Sequence, residues 1–129
     1  MKLNPQQQAA VKYLGGPLLV LAGAGSGKTG VITQKIKHLI VNVGYLPHTV
    51  AAITFTNKAA TEMQERVAKM LPKSQTRGLT ICTFHSLGMK ILREEANHIG
   101  YKKNFSILDS TDSAKITTQI GRASCRERV

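Results

Sequence analysis

Lys28 and Thr29 close a run of small residues, Ala22-Gly23-Ala24-Gly25-Ser26-Gly27-Lys28-Thr29. A glycine-rich turn of this kind presents successive backbone N–H groups that cradle phosphates. Its lysine reaches the terminal phosphates, and its threonine hydroxyl can ligate Mg²⁺. The spacing therefore implies a site for a nucleoside triphosphate with Mg²⁺. Ala22 stands where the usual pattern has glycine, while Gly27-Lys28-Thr29 keeps its last three positions. Electrostatics argue the same way: a lysine at a helix N-terminus opposes the helix dipole, and an anion there relieves the conflict.

A second lysine poses the same problem. In Phe55-Thr56-Asn57-Lys58, Asn57 is expected as a helix N-cap, which leaves Lys58 in the first turn, again at the wrong end of the dipole. Two such turns suggest two anion sites. Phe55 can stack on a nucleic-acid base or belong to the core, and residue chemistry leaves both open. In Thr83-Phe84-His85-Ser86, the hydroxyls and the imidazole can donate to phosphates or serve local hydrogen bonding. Gln7 can pair with the edge of adenine or complete a capping box with Asn4, and residue chemistry favours the cap.

Acids in useful positions are scarce. Glu62, Glu65, Glu94 and Glu95 read as solvated helix faces, with Glu62 and Arg66 spaced for an i,i+4 pair. Asp109 and Asp112 lie in a polar segment, and no strand ends in Asp-Glu. A phosphate-loop ATPase needs an acid for Mg²⁺ and a group that orients water.

These residues need elements to position them. Asn4 and Pro5 open a short helix to about Leu14. The unalternating run Leu18–Leu21 reads as a strand buried on both faces. Ile32, Ile36, Leu39, Ile40 and Val43 recur at helical spacing until Gly44 and Pro47. Residues 50–55 form a second strand, 57–71 an amphipathic helix with Ala60, Met63, Val67 and Met70 on one stripe, and 79–84 a third strand. A third helix runs from about Ser86 to Ile99, capped by Gly100. This alternation predicts an α/β fold with a parallel sheet flanked by helices. Ligands bind such sheets at the carboxyl ends of the strands, so all three polar turns should line one edge.

The chain has 129 residues, with 18 Lys and Arg against 7 Asp and Glu, a net charge of +11. That excess favours polyanionic partners, with solubility as the plainer reading. No apolar run is long enough to span a membrane, and the first residues do not resemble a secretory signal. Cys82 and Cys125 make no ligand cluster, in keeping with a reducing cytoplasm. Residues 120–129 carry no apolar periodicity and resemble the translation of a sequencing adapter. They are expected to be a non-native tail.

Taken together, the motifs resemble superfamily 1 DNA helicases of the UvrD/Rep/PcrA type. The likeness runs through Leu3-Asn4-Pro5-x-Gln7, Ala22 to Thr29, Ile53-Thr54-Phe55-Thr56-Asn57-Lys58-Ala59-Ala60-x-Glu62-Met63-x-x-Arg66 and Thr83-Phe84-His85-Ser86. Asn104-Phe105-Ser106 and Asp109-x-x-Asp112 are most like the Rep branch. The resemblance implies a RecA-like phosphate-loop fold that hydrolyses ATP with Mg²⁺ and moves 3′ to 5′ on single-stranded DNA, unwinding duplex junctions in replication or repair. It implies that Gln7 reads adenine, that Ala22 to Thr29 hold the triphosphate, with Lys28 and Thr29 catalytic and Thr29 on Mg²⁺, and that Phe55, Thr56, Asn57, Lys58, Thr83, Phe84, His85 and Ser86 meet DNA. Residues 1–86 then belong to motor domain 1A, and 87–119 begin a helical subdomain, 1B. The family's acidic box, arginine finger and second motor domain come later than these residues. A nucleotide kinase, a transport ATPase or a non-enzymatic nucleic-acid-binding remnant are the alternatives.

Purified residues 1–119 are accordingly expected to show neither strong ATP hydrolysis nor duplex unwinding. A steady-state phosphate-release assay with single-stranded DNA checks this. Robust DNA-stimulated turnover that Lys28→Ala abolishes would overturn it.

Overall fold

Asn4 and Gln7 build the first helix between them. The Asn4 carboxamide accepts from the Gln7 N–H at 2.8 Å, and the Gln7 side-chain oxygen accepts from the Asn4 N–H at 3.0 Å. This is a full capping box, with Pro5 in the first turn. Helix α1 spans Pro5–Lys12. The computed structural model describes residues 2–25 and 27–127, with side chains through Arg122. The chain divides after Gly88 into two compact units.

In the first unit, helix α2 (Lys28–Lys37) continues as a π-helical turn, His38–Val43, which Gly44 ends with φ 87°. Strand β1 (Ala51–Thr54), helix α3 (Asn57–Met70), the short α4 (Lys73–Thr76) and strand β2 (Thr80–Thr83) follow. The two strands pair in parallel, Ala51 opposite Thr80 through Thr54 opposite Thr83. The connection turns at Gly78, where φ is 86° and a Cβ would meet the His48 Cβ at 2.9 Å. Both facts require glycine there.

The core forms where α2, α3 and the sheet meet. Ile36 and Ile40 pack with Val50, Ala52, Met63, Val67, Leu71 and Ile81. The stripe expected on α3 is found, with Ala60, Met63 and Val67 buried. Gln64 on the same helix donates to the Ile81 carbonyl at 2.7 Å. Register turns that carbonyl away from β1, so the bond satisfies an edge acceptor that would otherwise need water.

Leu18–Leu21 departs from expectation. It forms no strand, and Leu19 and Leu21 are 82% and 87% exposed. Leu18 and Val20 do line a groove of about 540 Å³ whose other wall includes Val50 to Ile53. The segment is therefore half-covered on one face and bare on the other. An unalternating apolar run becomes a buried strand only where ladder partners and covering layers exist. Among the described residues neither surrounds this segment.

Helix α5 (Phe84–Glu95) crosses from the first unit into the second. There a 3₁₀ turn, Ala96–Ile99, ends at Gly100 with φ 80°, the cap expected at that position. Helix α6 spans Ser110–Glu127, into residues expected to be a tail without periodicity. Asp109 starts it, its carboxylate accepting from the Asp112 N–H at 2.7 Å. No described side chain of α6 is buried. A good cap and local propensity suffice for such a helix, and neither appears in a search for apolar spacing. No helix among the described residues is long and apolar enough to cross a membrane.

Urea denaturation checks this packing. Met63→Ala should cost about 2–5 kcal/mol, the usual range for truncating a buried long side chain. Leu19→Ser should stay within about 0.5 kcal/mol of the parent, as for an exposed position. A loss of several kcal/mol at Leu19 would restore the buried-strand reading.

Candidate nucleotide and DNA sites

The glycine loop obtains its shape from two residues that only glycine suits. Gly25 and Gly27 have φ of 73° and 76°. Backbone of this kind turns successive N–H groups toward one concavity. Ser26, between them, lies outside the described residues. Lys28, the first residue of α2, donates through Nζ to the Ala22 carbonyl at 3.1 Å, so its ammonium stands at the mouth of the loop. Thr29 is half-buried in the same turn.

A cavity of about 400 Å³ opens beside this loop. Gln7 and Ala10 line it from α1, Ala22 from the loop, and Lys28, Val31 and Ile32 from α2. The first turns of both helices therefore reach one space, and both dipoles bring positive potential to it. Gln7 and Lys28 converge here although 21 positions separate them. The two roles weighed for Gln7 are compatible. Its oxygen is held in the cap, which fixes the side chain while it lines the cavity.

The other candidate residues follow the strand ends. Phe55 is 89% exposed, which excludes the core reading. The cap of α3 is Thr56, not Asn57: the Thr56 hydroxyl accepts from the Ala59 N–H at 3.1 Å. Asn57 is thus the first helical residue. Thr56 has the extended backbone a cap requires, so the helix starts one residue earlier than expected. Lys58 is exposed in a first turn that holds no acid.

Thr83 is only 5% exposed. Its hydroxyl donates to Ser86 Oγ at 3.0 Å and accepts from the Ser86 N–H at 3.2 Å, capping α5. Phe84 is 61% exposed, and His85 and Ser86 are exposed. Because Thr54 pairs with Thr83, Phe55 and Phe84 leave adjacent strands at the same level. Two of the three expected turns thus share a sheet edge. The glycine loop follows the unpaired segment instead.

Glu62, Glu65, Glu94 and Glu95 are exposed, as expected of solvated faces. Among the described residues no group of three or more His, Cys, Asp or Glu could hold a metal ion. Sequence reasoning takes Ile32 only as part of a packing stripe and passes over Val31 and Lys35. Their signal is spacing: with Lys28 they occupy positions i, i+3, i+4 and i+7, one face of α2.

Comparison with known proteins decides the family. Residues 3–127 match the UvrD/REP helicase N-terminal domain. The chain belongs to the UvrD/REP helicase family. The UvrD/REP match extends through 127, the last residue of α6. Over 120 residues the chain is 54% identical to the ATP-dependent DNA helicase Rep of Salmonella typhimurium, covering 93% of this chain and 18% of that one. It is 48% identical to the ATP-dependent DNA helicase PcrA of Leuconostoc citreum over 109 residues, 84% of this chain and 15% of the relative. With PcrA of Staphylococcus aureus the identity is 47% over 118 residues, 92% and 16%. The chain thus spans less than a fifth of the length of these UvrD/REP relatives.

Burial makes Thr83 a support rather than a contact surface. Thr83→Ala should cost about 1–2 kcal/mol in a thermal melt, as caps do. Single-stranded DNA affinity, compared at equal folded fraction, should change less than twofold. A larger loss with an unchanged melt would make Thr83 a direct contact.

Proposed function

We propose that this chain forms the nucleotide-binding part of the first motor domain of an ATP-dependent 3′–5′ DNA helicase, on a RecA-like phosphate-loop sheet. Residues 1–86 belong to domain 1A, and 87–119 open helical subdomain 1B. The observation that carries the proposal is the convergence of Gln7 and Lys28 on one cavity beside a loop with two positive-φ glycines.

The residues fit a nucleoside triphosphate with Mg²⁺. Gln7 binds the adenine edge, and the loop from Ala22 to Thr29 binds the phosphates through backbone N–H groups. Lys28 would turn its ammonium from the Ala22 carbonyl to the terminal phosphates, and the Thr29 hydroxyl would hold Mg²⁺. Lys28 would offset phosphate charge, and Mg²⁺ when bound would supply further neutralisation. On the DNA side, Phe55 and Phe84 offer stacking faces at one sheet edge. Lys58, Asn57, His85 and Ser86 bind the backbone, and Thr56 and Thr83 hold the two helix starts in place.

Titration of the 129-residue chain with fluorescent ATP and Mg²⁺ tests the first half. Lys28→Ala should weaken binding at least tenfold, about the effect of one charged contact to phosphate. Fluorescence anisotropy with a single-stranded oligonucleotide tests the second. Phe55→Ala should cost about 1–3 kcal/mol of affinity. Lys58→Ala should flatten the plot of log affinity against log salt by about 0.7. ATP binding with no DNA binding at low salt would favour a phosphate-loop enzyme of another kind. DNA binding without ATP binding would favour a nucleic-acid-binding remnant.

A further inference from the structure

Lys35 is a half-buried lysine that the nucleotide site does not itself use. Its Nζ donates to the Ala10 carbonyl at 3.1 Å and also to the Tyr13 carbonyl. Both acceptors lie at the end of α1, where the last carbonyls of a helix have no partner of their own and the dipole is negative. A cation from a neighbouring helix satisfies both demands at once. Lys35 is seven residues from Lys28, two turns along the same face of α2, a rise of about 10 Å. One helix therefore presents one lysine to the glycine loop and the other to the end of α1.

That link fixes what α1 carries. Gln7 precedes Ala10 by one turn, and both line the cavity with Lys28. The capping box orients Gln7 within α1 but says nothing of where α1 stands relative to α2. Most of α1 is exposed, and Val11 is its one buried residue. An eight-residue helix with so little buried surface cannot hold its position by hydrophobic packing alone. Resting on the nucleotide reading above, we propose that Lys35 is a positioning residue for base recognition. It clamps α1 to the phosphate-loop helix and so sets Gln7 at a defined distance from Lys28.

The test uses the 129-residue chain with Lys35→Met, which keeps the aliphatic stem, and Lys35→Arg, which keeps the donors. Fluorescent ATP and GTP report base discrimination, and competition by tripolyphosphate reports the phosphate end alone. Lys35→Met should lose about tenfold of the ATP-over-GTP preference, the scale of one lost charged hydrogen bond. Tripolyphosphate affinity should hold within twofold, and Lys35→Arg should restore the preference. Hydrogen exchange without nucleotide should show α1 amides opening faster in Lys35→Met. An unchanged ATP-to-GTP ratio overturns the proposal, as does an equal loss of tripolyphosphate, which marks a general folding defect. Unchanged exchange in α1 overturns the Lys35 assignment alone. A parent chain that binds ATP no better than Lys28→Ala overturns the nucleotide reading itself.

Discussion

Four residues of parallel pairing between β1 and β2 set most of what the first unit does. A parallel pair needs a crossover, and α3 supplies it. The crossover lays Met63 and Val67 against Ile81 and Ala52, and α2 closes the same core through Ile36 and Ile40. Register then determines the other end. With Thr54 opposite Thr83, the two chains leave the sheet together, and each enters a helix capped by a threonine. The exposure of Phe55 and Phe84 follows from this. Each sits between a paired strand residue and a helix cap, beyond the reach of the core.

The same geometry explains where sequence reading succeeds. Period-3.6 stripes and β-branched runs report local structure with the core on one side, so α2, α3, β1 and β2 are legible within a residue or two. The capping box in α1 is legible because both partners lie three residues apart. Leu18–Leu21 is not legible, because burial on two faces is a property of neighbours rather than of the run itself. The cap of α3 is misjudged by one residue, since asparagine and threonine both suit the position and only backbone dihedrals separate them. Helix α6 escapes notice because its described part buries nothing.

The candidate site shows a different division. Residue types made the glycine loop plain, and the structure adds that Gly25 and Gly27 are the ones with positive φ. They left Gln7 between a cap and a base contact, and the structure makes those compatible, since the capped oxygen fixes a side chain that also lines the cavity. They left Phe55 between core and surface, and exposure decides it. Spacing places Lys35 on the Lys28 face of α2, but its partners are not legible in the sequence. Its partners are backbone carbonyls, which carry no residue identity, and the acceptors lie 22 and 25 positions away.

The starts of α2 and α3 are joined by the helices themselves more than by the sheet. Lys28 stands at the start of α2 and Lys58 at the start of α3, each at the positive end of its helix dipole. The bodies of these helices pack on one another, with Ile36, Met63 and Val67 in one core. Gln34 on α2 also donates to the Met70 sulfur on α3 at 3.5 Å. Close-packed interiors resist sliding without repacking. The starts of α2 and α3 are therefore held by one packed block. Lys28 links the glycine loop to α2 through the Ala22 carbonyl. A shared core thus sets the spacing of two exposed lysines that begin neighbouring helices.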